Sequence, residues 1–175
     1  KYSLKNVHDF AWFADTSWIE EISWIILPNS GRKVKTYMKY RPEHKNVYEN
    51  SVQYIDSAIY YYSLWIGDYP YNICGAVDGG LTAGAGMEYP TITVLGGSEN
   101  RALHEEITVH EVGHNWFYGI LGSNERKNPW MDEGINSYYE RRYYEEVKPN
   151  MKLDEFIPLL KFLKYEAIKQ KEFHH

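Results

Sequence analysis

Cysteine is nearly missing from this 175-residue chain. Cys74 stands alone, which excludes an internal disulfide and any zinc site built from several cysteines. It leaves the compartment open. No run of 18 or more apolar residues occurs, so no segment has the length of a membrane-spanning helix. Lys1-Tyr2-Ser3-Leu4-Lys5-Asn6 lacks the apolar centre of a secretory leader. Positive charge is in deficit: 19 Lys and Arg face 24 Asp and Glu, a formal net charge of −5. That balance excludes a generally basic nucleic-acid-binding surface and a polybasic membrane anchor. Repeats and low-complexity tracts are lacking too.

What is present is a globular composition, 43% hydrophobic and 25% charged, with an aromatic share of 17% that includes 17 Tyr and 6 Trp. Tyr and Trp combine apolar bulk with a polar handle, so they serve both cores and wet clefts. The length is close to that of one domain. The chain opens on Lys1 rather than methionine and closes on His174-His175, and the expectation is a piece of a longer protein.

The first forty residues read as strands, over Val7 to Phe13, Trp18 to Leu27 and Arg32 to Tyr40, with a turn at Pro28-Asn29-Ser30-Gly31. Apolar spacing predicts a helix from Asn46 to Ile66. Glycine and β-branched residues from Tyr69 to Gly97 predict two more strands, around Ile73 to Val77 and Met87 to Leu95. Helices follow over Arg101 to Leu121, Asp132 to Val147 and Leu153 to Phe173. Strands first and helices later give an α+β layout. The expected single domain spans 1–175, with 1–99 mainly sheet plus one helix and 100–175 a helical lobe.

The chemistry centres on His110-Glu111-Val112-Gly113-His114, an H-E-x-x-H pattern inside the third predicted helix. Residues four apart share a helix face, so both imidazoles can reach one ion. Zinc accepts neutral imidazole nitrogen, and a catalytic site takes three protein ligands plus water. Glu111 lies beside that face, placed to act on water rather than on the metal, as a general base does. Two histidines at this spacing also occur as plain surface or core residues. A third ligand is offered by Glu133 in Trp130-Met131-Asp132-Glu133-Gly134, with eighteen residues between it and His114. That interval lets one helix end, turn and return antiparallel. Acidic residues at 132 and 133 also simply suit a helix N-terminus. Glu140, seven residues on, shares the face of Glu133 and is a candidate acceptor for a zinc-bound imidazole, or else a solvated carboxylate.

H-E-x-x-H, eighteen residues, then Glu resembles the gluzincin aminopeptidases related to aminopeptidase N and leukotriene hydrolase. Thermolysin-like endopeptidases usually place the third ligand one residue further. Ala85-Gly86-Met87-Glu88-Tyr89 is similar to that family's Gly-x-Met-Glu-Asn exopeptidase motif, and Val7-His8-Asp9-Phe10-Ala11-Trp12 resembles the opening of its catalytic domain. The resemblance runs from the first residues to about Glu140. It implies a thermolysin-like metallopeptidase catalytic domain, one Zn2+ held by His110, His114 and Glu133, and Glu111 as the base that activates water. It implies that Glu88 anchors the free α-amine of a peptide, with Ala85, Gly86 and Met87 presenting backbone to the substrate. Tyr89, Ala85 and Asp132 depart from the family's commoner Asn, Gly and Asn. The family's transition-state Tyr lies well beyond the third ligand, but only 42 residues follow Glu133, and none matches it. Tyr138, Tyr139, Tyr143 and Tyr144 read as core. The family's N-terminal sheet domain and C-terminal helical domain are not in this sequence. The expected partners are peptides with a free N-terminus, with no nucleic acid and no membrane span. The alternatives are a thermolysin-like endopeptidase and a non-catalytic zinc-bearing peptide-binding fragment.

Overall fold

Strand β1 (Ile19–Ile26) alternates half-buried and exposed side chains, the period-two signature of a sheet with one covered face. It pairs antiparallel with β2 (Lys33–Tyr40), in which Val34, Thr36, Met38 and Tyr40 point into the core. β2 then runs parallel to β3 (Ile73–Leu81), and β3 parallel to β5 (Ile92–Gly96). The two-residue β4 (Gly86–Met87) lies antiparallel on β5 and forms the sheet edge, in the order β1-β2-β3-β5-β4. Parallel neighbours need a crossover, and between β2 and β3 it is α2 (Val52–Trp65). The buried side of that helix carries Ile55, Ala58, Ile59 and Tyr62. Each fully buried aliphatic chain contributes about 1.5–3 kcal/mol relative to exposure. Asp56 fixes the helix to the sheet by accepting from the Ser23 hydroxyl at 2.6 Å and the Thr36 hydroxyl at 2.5 Å.

This computed structural model describes residues 3–82, 84–97 and 99–150. The chain divides into two compact units, Lys1–Arg141 and Arg142–His175. The second is described through residue 150, where Arg142 Nε pairs with Glu146 Oε1 at 2.6 Å. The helix expected over Leu153 to Phe173 lies outside the described residues. No helix among the described residues is long and apolar enough to cross a membrane.

Several expected elements have different bounds. Val7 to Phe13 is not a strand; its His8 and Asp9 bond instead to Tyr118. The helix expected from Asn46 to Ile66 is interrupted. A short α1 (Lys45–Tyr48) ends before Asn50, whose φ of 67° is left-handed and whose N–H donates to Glu21 Oε1 at 2.9 Å. Asparagine tolerates that conformation because its short polar side chain bonds locally. The strand expected from Met87 to Leu95 is two strands, separated by a turn at Pro90-Thr91. Helix α3 (Arg101–Gly113) stops eight residues before Leu121. Beyond Gly113 the i→i+4 ladder gives way: Trp116 N–H bonds Gly113 O at 3.0 Å, and Gly119 N–H reaches back five residues to His114 O at 2.8 Å. The helix expected from Asp132 is a π-helical turn, Trp130–Gly134, running into α4 (Ile135–Val147).

Candidate metal centre

Helix α3 begins at Asn100, whose side-chain oxygen accepts the Ala102 and Leu103 N–H groups at 2.8 and 3.3 Å. Such a cap contributes about 1 kcal/mol. The thirteen-residue helix carries His110 and Glu111 near its C-terminal end and delivers His114 just beyond it. Gly113 lies between them for a steric reason. A Cβ there would overlap the Asn136 side chain of α4. The close approach lets Asn136 Nδ2 donate to the His110 carbonyl at 2.8 Å. That contact brings the acidic residues of the π turn and of α4 up to the histidines. The π turn, closed by Ile135 N–H to Trp130 O five residues back, aims Glu133 towards α3, and single π turns are frequent at functional sites.

Three atoms converge. His110 Nε2 lies 3.1 Å from His114 Nε2 and 3.2 Å from Glu133 Oε2, and His114 Nε2 lies 3.7 Å from the same oxygen. Donors about 2.0–2.1 Å from a tetrahedral ion stand roughly 3.3 Å apart, so the triangle fits zinc. Among the described residues these three are the group with metal-binding geometry. The outer ring nitrogens support the same conclusion. His110 Nδ1 is 2.9 Å from Glu140 Oε2, and His114 Nδ1 is 2.8 Å from Asp132 Oδ1 and 3.1 Å from the Phe117 carbonyl. Each Nδ1 therefore donates its hydrogen outward, and in a neutral ring the matching Nε2 is a bare lone pair. Two lone pairs and a carboxylate oxygen pointing at one another demand a cation. Burial opposes charge on both rings, but bonds to Glu133 and Glu140 hold His110 well above its ordinary value, and Asp132 raises His114. The His110 bond holds Glu133 below the ordinary carboxylate range despite its partial burial.

Glu111 is 7% exposed, and its Oε2 has no hydrogen-bond partner. Burial pushes its carboxyl up to about 7; the two histidines oppose the shift, and Glu88 and Glu133 add to it. A Cβ on Gly86 would overlap the Glu111 carboxylate, so edge strand β4 passes directly over it. Glu88 follows β4, half-buried and close enough to Glu111 and to Tyr118 to act on both electrostatically. Met87 is 40% exposed. Both main-chain groups of Ala85 are engaged internally, its N–H with Thr82 O at 3.0 Å and its C=O with Gly96 N–H at 2.7 Å. Next to α3, the Tyr118 hydroxyl donates to Asp9 Oδ2 at 3.1 Å and His8 Nε2 donates to the Tyr118 carbonyl at 2.9 Å.

Sequence reasoning missed Asp132, placing it only at a helix N-terminus. The structure buries it against His114 as the counterpart of Glu140 on His110. Its position beside Glu133 was the available signal. On α3, burial and the neighbouring Glu140 raise the Glu106 carboxyl to about 7. Tyr138, expected in the core, is 62% exposed, whereas Tyr139 stacks on Phe117 at 5.3 Å.

No family model matches the chain. A stretch of 58 residues is 38% identical to aminopeptidase Q of Mus musculus, which is 31% of this chain and 10% of that protein. An M1 zinc metallopeptidase from Deinococcus radiodurans superposes with a TM-score of 0.58 at 20% identity, over 75% of this chain and 29% of the other. Legionella pneumophila aminopeptidase A, solved with aspartic acid, gives a TM-score of 0.63 at 13% identity, over 74% of this chain and 16% of the other. The chain thus spans less than a third of each of these proteins. The shared architecture is a mixed sheet with helices, as in M1 metallopeptidase domains.

Proposed function

With sequence relatives and structural neighbours together supporting an aminopeptidase N-like gluzincin family for this chain, we propose that it is the metal-binding core of a zinc aminopeptidase. Its thermolysin-like catalytic fold would put H-E-x-x-H at the hinge between sheet and helices. His110, His114 and Glu133 hold the ion, and Glu140 and Asp132 orient the two imidazoles. Bound zinc supplies Lewis acidity, polarising a substrate carbonyl and making water more acidic. Glu111 is the general base: a buried carboxylate poised near neutrality accepts a proton from water and returns it to the leaving amine. Glu88 attracts the charged N-terminus of a peptide lying along β4, which selects the first peptide bond. Ala85 shapes this subsite through its sheet bonds, while Gly86 and Met87 lie at the edge where a peptide backbone can align. The family's N-terminal and C-terminal domains would close the cleft from outside this chain, and peptides with a free N-terminus are the substrates.

The observation that carries this reading is the convergence of two imidazole Nε2 atoms and one carboxylate oxygen beside Glu111. The test begins with metal analysis of dialysed protein, where close to one equivalent of zinc is expected. Cleavage of leucine aminomethylcoumarin is then compared with its N-acetylated form. Glu111→Gln should cut turnover by about 10²–10⁴-fold with zinc retained. Glu88→Gln should erase the preference for the free amine. Absence of zinc after reloading refutes the metal centre, and equal cleavage of blocked and free substrates favours an endopeptidase.

A further inference from the structure

Thr91 occupies a backbone conformation that its side chain disfavours. Its φ is 67°, left-handed, where a β-branched residue is a genuine outlier. It is the third residue of the turn Tyr89-Pro90-Thr91-Ile92, closed by Ile92 N–H to Tyr89 O at 3.1 Å. Proline second and positive φ third follow the type II pattern, in which glycine or asparagine ordinarily takes the third place. Strained backbone persists only where its surroundings over-determine it.

Here the surroundings are specific. Thr91 N–H donates to Asn115 Oδ1 at 3.0 Å, and the Thr91 carbonyl accepts from Gly75 N–H at 3.0 Å. Asn115 is 1% exposed. Its oxygen also lies 3.3 Å from the Tyr69 hydroxyl, whose nearer acceptor is the Ile73 carbonyl at 3.0 Å, and its Nδ2 donates to Val112 O at 3.0 Å. Asn115 directly follows His114, and Thr91 lies three residues beyond Glu88.

We propose that Asn115 is a positioning residue: it clamps Thr91 in the left-handed turn and so sets where Glu88 stands relative to the zinc helix. The inference rests on the reading of Glu88 as the amine anchor. The clamp ties the amine subsite to the residue next to a metal ligand, so one rigid connection sets the distance between the two.

The test uses the zinc-loaded chain and NMR titration with leucinamide and N-acetyl-leucinamide, the ratio of the two affinities being the readout. Asn115→Ala should lower the wild-type ratio by roughly tenfold, about what a misplaced charge-assisted hydrogen bond costs. Zinc content and affinity for the acetylated probe should stay unchanged. Glycine adopts positive φ without a clamp, so adding Thr91→Gly to Asn115→Ala should restore the ratio. A purely structural role for Asn115 would not be rescued this way. Should Asn115→Ala be too unstable to purify, Thr91→Pro, which forces negative φ and removes the N–H, should lower the ratio instead. A wild type with no preference overturns the amine-anchor reading and this inference together. A wild type that prefers the free amine, with a ratio unchanged in Asn115→Ala or Thr91→Pro or with no rescue by Thr91→Gly, overturns the inference alone.

Discussion

His104 shows how a single buried side chain sets a property of the whole chain. It is 1% exposed, its ring lies 4.0 Å from that of Tyr48, and its Nε2 has no hydrogen-bond partner. Burial first, and the Arg101 charge second, push it down to about 4 from an ordinary 6.5. Its folded value lies below its unfolded value, so the unfolded chain takes up the proton first as pH falls. The stabilising effect of the neutral ring is complete above the unfolded value and is lost as pH drops towards 4. Between about pH 7 and pH 5 this one group should cost about 2 kcal/mol. Urea unfolding of wild type and His104→Phe near both values checks it. The variant keeps a ring against Tyr48 and should lose about 2 kcal/mol less on acidification. Equal losses in both proteins would sink the idea. At the same scale, the two histidines and Glu133 were legible in the sequence because ligand chemistry constrains residue type and spacing. Asp132 was not, because nothing in a linear pattern tells a capping acid from one buried against an imidazole.

Among the elements, β4 is two residues long and yet defines the cleft. Gly86 pairs with Leu95 on β5 and rests its backbone on Glu111. Gly86→Ala should push the strand or the carboxylate aside and reduce kcat/KM on free-amine substrates by about 10–100-fold, as expected for a displacement of about 1 Å. Zinc content should not change. Activity near wild type would show that the carboxylate swings away at no cost. Sheet strands β1 and β2 were readable within two residues, because alternation survives wherever one face is covered. The end of α3 was not. Trp116, Phe117, Ile120 and Leu121 keep helical spacing, but Trp116 turns its indole N–H to the Gly67 carbonyl at 2.9 Å, and Ile120 and Leu121 remain half exposed. Tertiary bonds there outweigh periodicity.

For the whole molecule, metal binding should be coupled to folding. The three donors repel one another when unprotonated, and a cation that binds only their folded arrangement stabilises the fold. With free zinc about a hundredfold above Kd, binding adds about 2.7 kcal/mol, which shifts Tm by roughly 5–10 °C in a chain of this size. Calorimetry before and after chelation measures it, and zinc alone should restore the loss. A Tm unmoved by chelation and reloading would show that the triangle holds no ion.

The sequence by itself determined the α+β order, the exclusion of an internal disulfide and the spacing that brings His110, His114 and Glu133 within reach of one ion. These are local properties, written in residue type and interval. Only the tertiary structure decided which carboxylate faces which imidazole, that β4 lies over Glu111, and that Asn115 holds Thr91 in a strained turn. Those depend on atoms far apart in the chain meeting in a low-dielectric interior, where an unpaired polar group is costly and geometry selects its partner.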